Sequence, residues 1–224
     1  MKLPIIYNSE NDWQLKRIGR FTASQIHRLM TEPKKKGETL SVGAKTYINE
    51  VAAEVLTKKQ KMQVLNNDME RGKELEPKAF EALCKDMKWG LDDQNIQQYG
   101  SQLYASYLNG DYVCASPDGI NINDNLIIEL KCPNSATHLK YLQIETPEDL
   151  LDVAPEYYYQ IQLNILLSEA KGAIFASYDD RYPENLQLHK VWIQHDVSVC
   201  DRILDKLTHS ITELISITNK YKQQ

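Results

Sequence analysis

Asp118, Glu129 and Lys131 are the residues of this chain whose types and spacing carry a specific chemistry. They lie in two short segments, Ala115-Ser116-Pro117-Asp118-Gly119 and Glu129-Leu130-Lys131-Cys132-Pro133, with ten residues between the two carboxylates. A hard divalent cation takes carboxylate and carbonyl oxygens, and hydrolysis of a phosphodiester needs positive charge beside the developing phosphorane. If the segments are neighbouring strands turned at Asn123-Asp124-Asn125, both carboxylates converge on one ion. Side chains alternate along a strand, so Glu129 and Lys131 share a face, and Lys131 can hold or deprotonate an attacking water. Ser-Pro-Asp-Gly alone is also an ordinary turn, and Glu-x-Lys an ordinary surface pair. The setting separates the readings, because Leu126-Ile127-Ile128 marks a buried strand in which an unpaired Glu129 is costly.

The elements that must position these groups follow from local patterning. Thr22 with Gln25 fits a capping box opening a helix over 22–30, and apolar residues from Ala44 to Leu56 recur at helical spacing. A third helix is marked by Leu75, Ala79, Phe80, Leu83 and Met87 and ends before Trp89-Gly90. From Gln94 the texture changes to Tyr-, Ile- and Val-rich runs broken by turn residues, which predicts strands near 95–99, 103–107, 111–116 and 126–132. Pro155 opens a helix to Ser168, strands follow near 173–179 and 187–193, and Asp196 caps a last helix to about 219. The expected class is α/β, a single domain over 1–224 with a mixed central sheet flanked by helices and a helical N-terminal part.

Composition bounds the partners. Of 224 residues, 42% are apolar and 25% charged, ordinary globular proportions. The longest apolar runs, Tyr112 to Ala115 and Ala173 to Ala176, are far short of a membrane span, and Met1 to Ile6 meets polar sequence too early for a secretory leader. The expectation is a cytoplasmic protein with no membrane partner. Cys84, Cys114, Cys132 and Cys200 form no CxxC pair, so four reduced thiols are expected, and the five histidines show no metal spacing. The net charge of −5 excludes a uniformly basic coat, but residues 1–61 hold twelve Lys and Arg against six Asp and Glu. An anionic partner should therefore meet the N-terminal quarter.

The chain resembles the lambda-type viral alkaline exonuclease and YqaJ-like recombinase group of PD-(D/E)xK nucleases. The resemblance rests on blocks in the same order with similar gaps: Arg17-Ile18-Gly19 with Thr22-Ala23-Ser24, Gly72-Lys73 with Glu76, Ser116-Pro117-Asp118-Gly119, Glu129-Leu130-Lys131-Cys132-Pro133, Gln160-Ile161-Gln162 and Tyr178-Asp179. It implies a restriction-endonuclease-like core and a Mg²⁺-dependent exonuclease, with two ions and Mn²⁺ able to substitute. Such an enzyme digests the 5′-ended strand of linear duplex DNA as a ring-shaped homotrimer, leaving a 3′ single strand for a single-strand annealing protein. By the same resemblance Asp118, Glu129 and the Leu130 carbonyl are metal ligands, Lys131 is the catalytic lysine, Glu76 supports the second metal and Gln160 borders the active site. Arg17, Ser24 and Ser116 correspond to a pocket for the 5′-terminal phosphate, Lys34 to a groove contact and Met69 to an apolar wedge.

The motif itself fixes neither polarity nor cutting position, so a structure-specific endonuclease or resolvase on the same core is a second reading. A DNA-end-binding protein without catalysis is a third, disfavoured by the intact Asp118, Glu129 and Lys131.

Overall fold

The computed structural model describes residues 1–60, 67–101 and 103–222, with backbone alone at 67–69. In chain order the elements are β1 (Ile5–Tyr7), α1 (Glu10–Arg17), β2 (Phe21–Thr22), a 3₁₀ helix (Ala23–Arg28), α2 (Val42–Thr57), α3 (Asn67–Met87), β3 (Ile96–Gln98), β4 (Tyr104–Asn109), β5 (Val113–Ala115), β6 (Gly119–Asn121), β7 (Leu126–Lys131), α4 (Ser135–Tyr141), α5 (Pro147–Val153), α6 (Pro155–Ser168), β8 (Gly172–Tyr178), α7 (Glu184–Gln187), β9 (Leu188–Gln194) and α8 (Val197–Lys222). The mixed α/β class holds, but the strands divide between two sheets, β1-β4-β5-β2 and β3-β6-β7-β8-β9, in place of one central sheet. The division falls at Ser116-Pro117-Asp118, where a proline without an N–H donor ends the first ladder. The arm that pairs with β7 is consequently β6, with Gly119 opposite Ile128 and Asn121 opposite Leu126, and not the 111–116 segment. Asn125 closes this hairpin in the left-handed region at φ 57°, while the Asn121 and Asp124 side chains bond across the turn.

β7 and β8 run parallel at the centre of the larger sheet, buried on both faces except at Lys131. Their alternation assigns each face to a helix. Leu126, Ile128 and Leu130 pack with Leu75, Ala79 and Leu83 of α3. Ile127 and Phe175 join the cluster containing Ile161 and Leu163 of α6. Odd-numbered positions of β7 thus face α6, and Glu129 goes with them into the interior. At Gly119 a Cβ would lie 2.7 Å from the Gln97 carbonyl, so the absence of a side chain allows β3 to approach directly beside Asp118.

Asp179, at the end of β8, is fully buried. It accepts from Arg71 of α3 at 3.0 Å, from Arg181 Nε and Nη2 at 2.8 Å each, and from Ser135 at the start of α4 at 2.7 Å. Burial by itself would raise this carboxyl, but the hydrogen bonds from Arg181 and Ser135 outweigh it and hold it well below the usual range. The network fastens the N-terminal half of α3 to the sheet, which is a structural role for the Tyr178-Asp179 block.

Several local expectations change. The Thr22 side chain makes no capping bond; the element after it is a six-residue 3₁₀ helix, and Thr22 Oγ1 instead lies 3.2 Å from Ser24 Oγ. α3 begins at Asn67, well before the apolar periodicity that marks it, and β1, α1, β2, α4, α5 and α7 have no counterpart in the sequence reading. The Asp196 cap is present, its Oδ1 accepting from the Val199 N–H at 3.0 Å. All four cysteines are free and buried. Among the described residues no helix is long and apolar enough to cross a membrane.

Candidate active site

Asp118, Glu129 and Lys131 meet where the β6–β7 hairpin opens. Ile128 is the last β7 residue paired with β6. Beyond it the Leu130 N–H, released from the ladder, donates to Asp118 Oδ2 at 2.7 Å. The N–H and C=O of one strand residue lie on the same edge, so the Leu130 carbonyl faces the Asp118 side as well. Lys131 Nζ donates to Glu129 Oε1 at 2.5 Å and lies 3.5 Å from Asp118 Oδ2, the same-face geometry expected from alternation. Behind them α6 closes the site: Gln160 Nε2 donates to Glu129 Oε1 at 2.5 Å, and Asn164 Nδ2 to Glu129 Oε2 at 3.1 Å.

Glu129 is wholly enclosed. Its burial, then the Asp118 charge, push its carboxyl up to about 8 against the opposing pull of Lys131. Glu76 on α3 is pushed up to about 7 by burial and by Asp118, with Lys131 and Lys73 pulling the other way. For Lys131 burial works against the charged form, but Asp118 and Glu129 outweigh it and raise the amine well above its ordinary value. An ammonium so stabilised can hold an oxygen or balance negative charge, and of the two roles open to Lys131 this favours holding.

These residues fit a hard cation. Among the described residues no group of three or more Asp, Glu, His or Cys side chains forms a ready cage. The oxygens on offer are those of Asp118 and Glu129 with the Leu130 carbonyl, and Glu76 lines the same cavity as Asp118. All are hard donors of the kind Mg²⁺ prefers, and a cation among them would favour the charged forms of Glu76 and Glu129 against the burial that raises them.

Two cavities flank this centre. One, of about 210 Å³, is lined by Arg17, Ser24 and Ser116 together with Glu76, Asp118 and Gln160. Arg17 Nη1 donates to Ser116 Oγ at 2.8 Å, and its guanidinium lies 4.4 Å from the Trp13 ring centre. Trp13 Nε1 also donates to Ser116, at 3.1 Å. Gly19, at φ 71°, makes the turn after α1 and leaves room for Val55, whose Cγ2 would be 2.7 Å from a Cβ. The other cavity, of about 610 Å³, runs past Ser24, Gln25, Lys73, Glu76, Lys131 and Tyr157. The structure therefore brings together Arg17, Ser24, Glu76, Ser116, Asp118, Glu129, Leu130, Lys131 and Gln160. Lys34 is exposed in the loop before α2 and lines neither cavity. Met69 falls within α3, its side chain outside the described residues.

Sequence reasoning missed Trp13 and Asn164. Trp13 stands four residues before Arg17 on α1, which Ser9 caps by accepting from the Asp12 N–H. Asn164 stands four after Gln160 on α6. Both spacings put the partner on the same helix face, a signal open to use once the helix is assigned.

The architecture has known counterparts. An alkaline exonuclease from Laribacter hongkongensis, LHK-Exo, superposes with a TM-score of 0.74 at 26% identity over 95% of this chain and 96% of its own. The same enzyme in complex with dAMP superposes with a TM-score of 0.74 at 25% identity, with the same coverage. A phage-related exonuclease from Haemophilus somnus 129PT, at 17% identity over 90% of this chain and 96% of its own, shares the fold with a TM-score of 0.72. No curated protein matches the sequence. The profile of the YqaJ-like viral recombinase domain covers residues 12–171, more than half of the sequence, and the chain belongs to that family.

Proposed function

We propose that this deoxyribonuclease is a Mg²⁺-dependent exonuclease that digests the 5′-ended strand of linear duplex DNA and leaves a 3′ single strand for recombination by annealing. The observation that carries the reading is the smaller cavity, in which Arg17, Ser24 and Ser116 stand beside Asp118, Glu76 and Gln160. A planar guanidinium with hydroxyl neighbours matches a terminal phosphate, and its place next to the carboxylates sets the reacting bond close to a strand end. The relative crystallised with dAMP, a deoxynucleoside monophosphate, is consistent with a pocket of this chemistry.

Asp118, Glu129 and the Leu130 carbonyl would hold the cation, with Glu76 positioned for a second. When bound, the metal supplies Lewis-acid stabilisation of the phosphoryl charge. Gln160 and Asn164 hold the Glu129 carboxylate, Lys131 orients the water and balances charge, and Arg17 binds the terminal phosphate. Linear duplex labelled at the 5′ or the 3′ end, run with Mg²⁺ beside closed circular DNA, tests the assignment. Early loss of the 5′ label as mononucleotide with the circle intact is expected. Cutting of the circle would mean an endonuclease instead.

The raised carboxyls predict a pH dependence. Burial and Asp118 push Glu76 up to about 7 and Glu129 up to about 8, so protons compete with the cation for both carboxylates and digestion should rise across that interval at a fixed, sub-saturating Mg²⁺ concentration. For stability the sign is opposite: both folded values exceed the unfolded Glu value of about 4.3, so the folded metal-free protein retains protons that the unfolded chain loses. Their contribution therefore falls as pH rises from about 4.3 to 8. Melting temperatures of metal-free wild type and Glu129→Gln across this range check it, the variant being expected to show the shallower decline.

We further propose a ring-shaped homotrimer whose lumen gathers the basic N-terminal segments and whose product is handed to a single-strand annealing protein. A ring reconciles a net charge of −5 with DNA binding, because the acidic remainder can face outward. Sedimentation at micromolar concentration should give a closed oligomer, and a monomer that is still fully processive would contradict it.

A further inference from the structure

Glu129 is gripped from α6 at both oxygens. Gln160 donates to Oε1 at 2.5 Å and Asn164, one helical turn on, to Oε2 at 3.1 Å. Gln160 lines both cavities, but Asn164 lines neither and is wholly buried. Among the described residues its only side-chain bond is to Glu129, and its buried Oδ1 has no partner. A buried amide carbonyl without a partner is costly, so an asparagine that merely filled space would be worse there than an apolar residue of the same branched shape. Its neighbours Ile161, Leu163 and Ile165 show that apolar residues suit this helix. Lys131 and Gln160 both hold Oε1, which leaves rotation about the carboxylate bond open unless Oε2 is also engaged.

We propose that Asn164 is a positioning residue: its amide fixes the plane of the Glu129 carboxylate and thereby sets the affinity of the site for a divalent cation. This rests on the reading of Glu129 as a cation ligand. A ligand held in its binding orientation loses less freedom when the ion arrives, and the hydrogen-bond partners of ligating groups typically change metal affinity about tenfold or more when removed.

The test is Mn²⁺ binding by the full-length protein, followed by the resonance signal of the free ion, in wild type, Asn164→Leu, Asn164→Ala and Glu129→Gln, with melting curves for each. Asn164→Leu keeps the branched shape and the number of side-chain heavy atoms and removes both the donor and the orphaned carbonyl. It should weaken Mn²⁺ about tenfold and raise the Mg²⁺ needed for half-maximal digestion by the same factor. Its melting temperature should fall less than that of Asn164→Ala, and KM for DNA at saturating Mg²⁺ should not change. Asn164→Ala should weaken Mn²⁺ alike while melting earlier because of the cavity it leaves. Mn²⁺ affinity within twofold of wild type in Asn164→Leu, with binding abolished in Glu129→Gln, overturns the role of Asn164 alone. Binding that survives in Glu129→Gln removes both this proposal and the cation reading beneath it.

Discussion

Asp118→Ala, Glu129→Gln and Lys131→Ala are each expected to reduce the digestion of linear duplex DNA by about a thousandfold or more at the Mg²⁺ concentration that just saturates the wild type, because groups that act as one unit lose most of the rate when any member is removed. The geometry makes them such a unit. Lys131 touches both carboxylates, and Asp118 is held by the same strand segment that carries Glu129 and Lys131. The three losses should differ in kind. Asp118→Ala and Glu129→Gln each remove a cation ligand, so extra Mg²⁺ should restore part of the activity. Lys131→Ala removes the group that orients the water and should leave the Mg²⁺ requirement much as it is. Glu129→Gln is preferred to alanine because the side chain is fully buried and its neighbours depend on its volume. Single-turnover assays with circular dichroism spectra of each variant check the expectation. More than about a tenth of wild-type activity in any folded variant would show that the centre lies elsewhere.

The parts of this site legible in the sequence are those where chemistry and backbone period coincide. Glu129 and Lys131 lie two apart within an apolar run, and strand alternation alone puts them on one face, where the structure has them 2.5 Å apart. The helices α2, α6 and α8 were legible for similar reasons, through apolar spacing, a proline at the first turn and an aspartate cap. What the sequence did not disclose is set by long-range pairing. Val113–Ala115 reads as a partner for Leu126–Lys131, yet it belongs to the other sheet, because Pro117 breaks the ladder and the three residues Gly119–Asn121 form the hairpin arm. A strand that short carries almost no periodicity of its own. α1 escaped because none of its residues is buried, so no apolar stripe marks it, although it carries Arg17. Thr22 has a capping sequence, but its hydroxyl lies beside Ser24 while the backbone pairs with β5, so the tertiary ladder overrides the local signal. Asn164 was hidden for a different reason: a lone asparagine among apolar residues has meaning only after the carboxylate it faces is known.

The second large effect concerns strand ends. Duplex carrying 5′-phosphates should be digested roughly tenfold to a hundredfold faster than duplex with 5′-hydroxyls, since an Arg–phosphate contact contributes about 1.5–3 kcal/mol. Arg17→Ala should erase most of that difference. The argument runs from the cavity. Arg17 is held over the Trp13 ring and against Ser116, two residues from Asp118, so its guanidinium is fixed before any substrate arrives. A contact organised in advance loses little entropy on binding, and here the cavity that Arg17 lines is shared with Asp118 and Glu76. Each cut in the 5′ to 3′ direction creates a new 5′-phosphate, so the product end is also the best ligand for the next cycle. If Arg17 instead met only the duplex backbone, its loss would slow both substrates equally and flatten the salt dependence without altering end preference. Trp13→Phe separates the two further: the ring under the guanidinium remains while the bond to Ser116 is lost. It should therefore keep most of the phosphate preference that Arg17→Ala loses. The ratio of rates on the two ends, measured for wild type and both variants at one salt concentration, decides the matter. An unchanged ratio in Arg17→Ala would remove the 5′-phosphate pocket and leave the metal centre untouched.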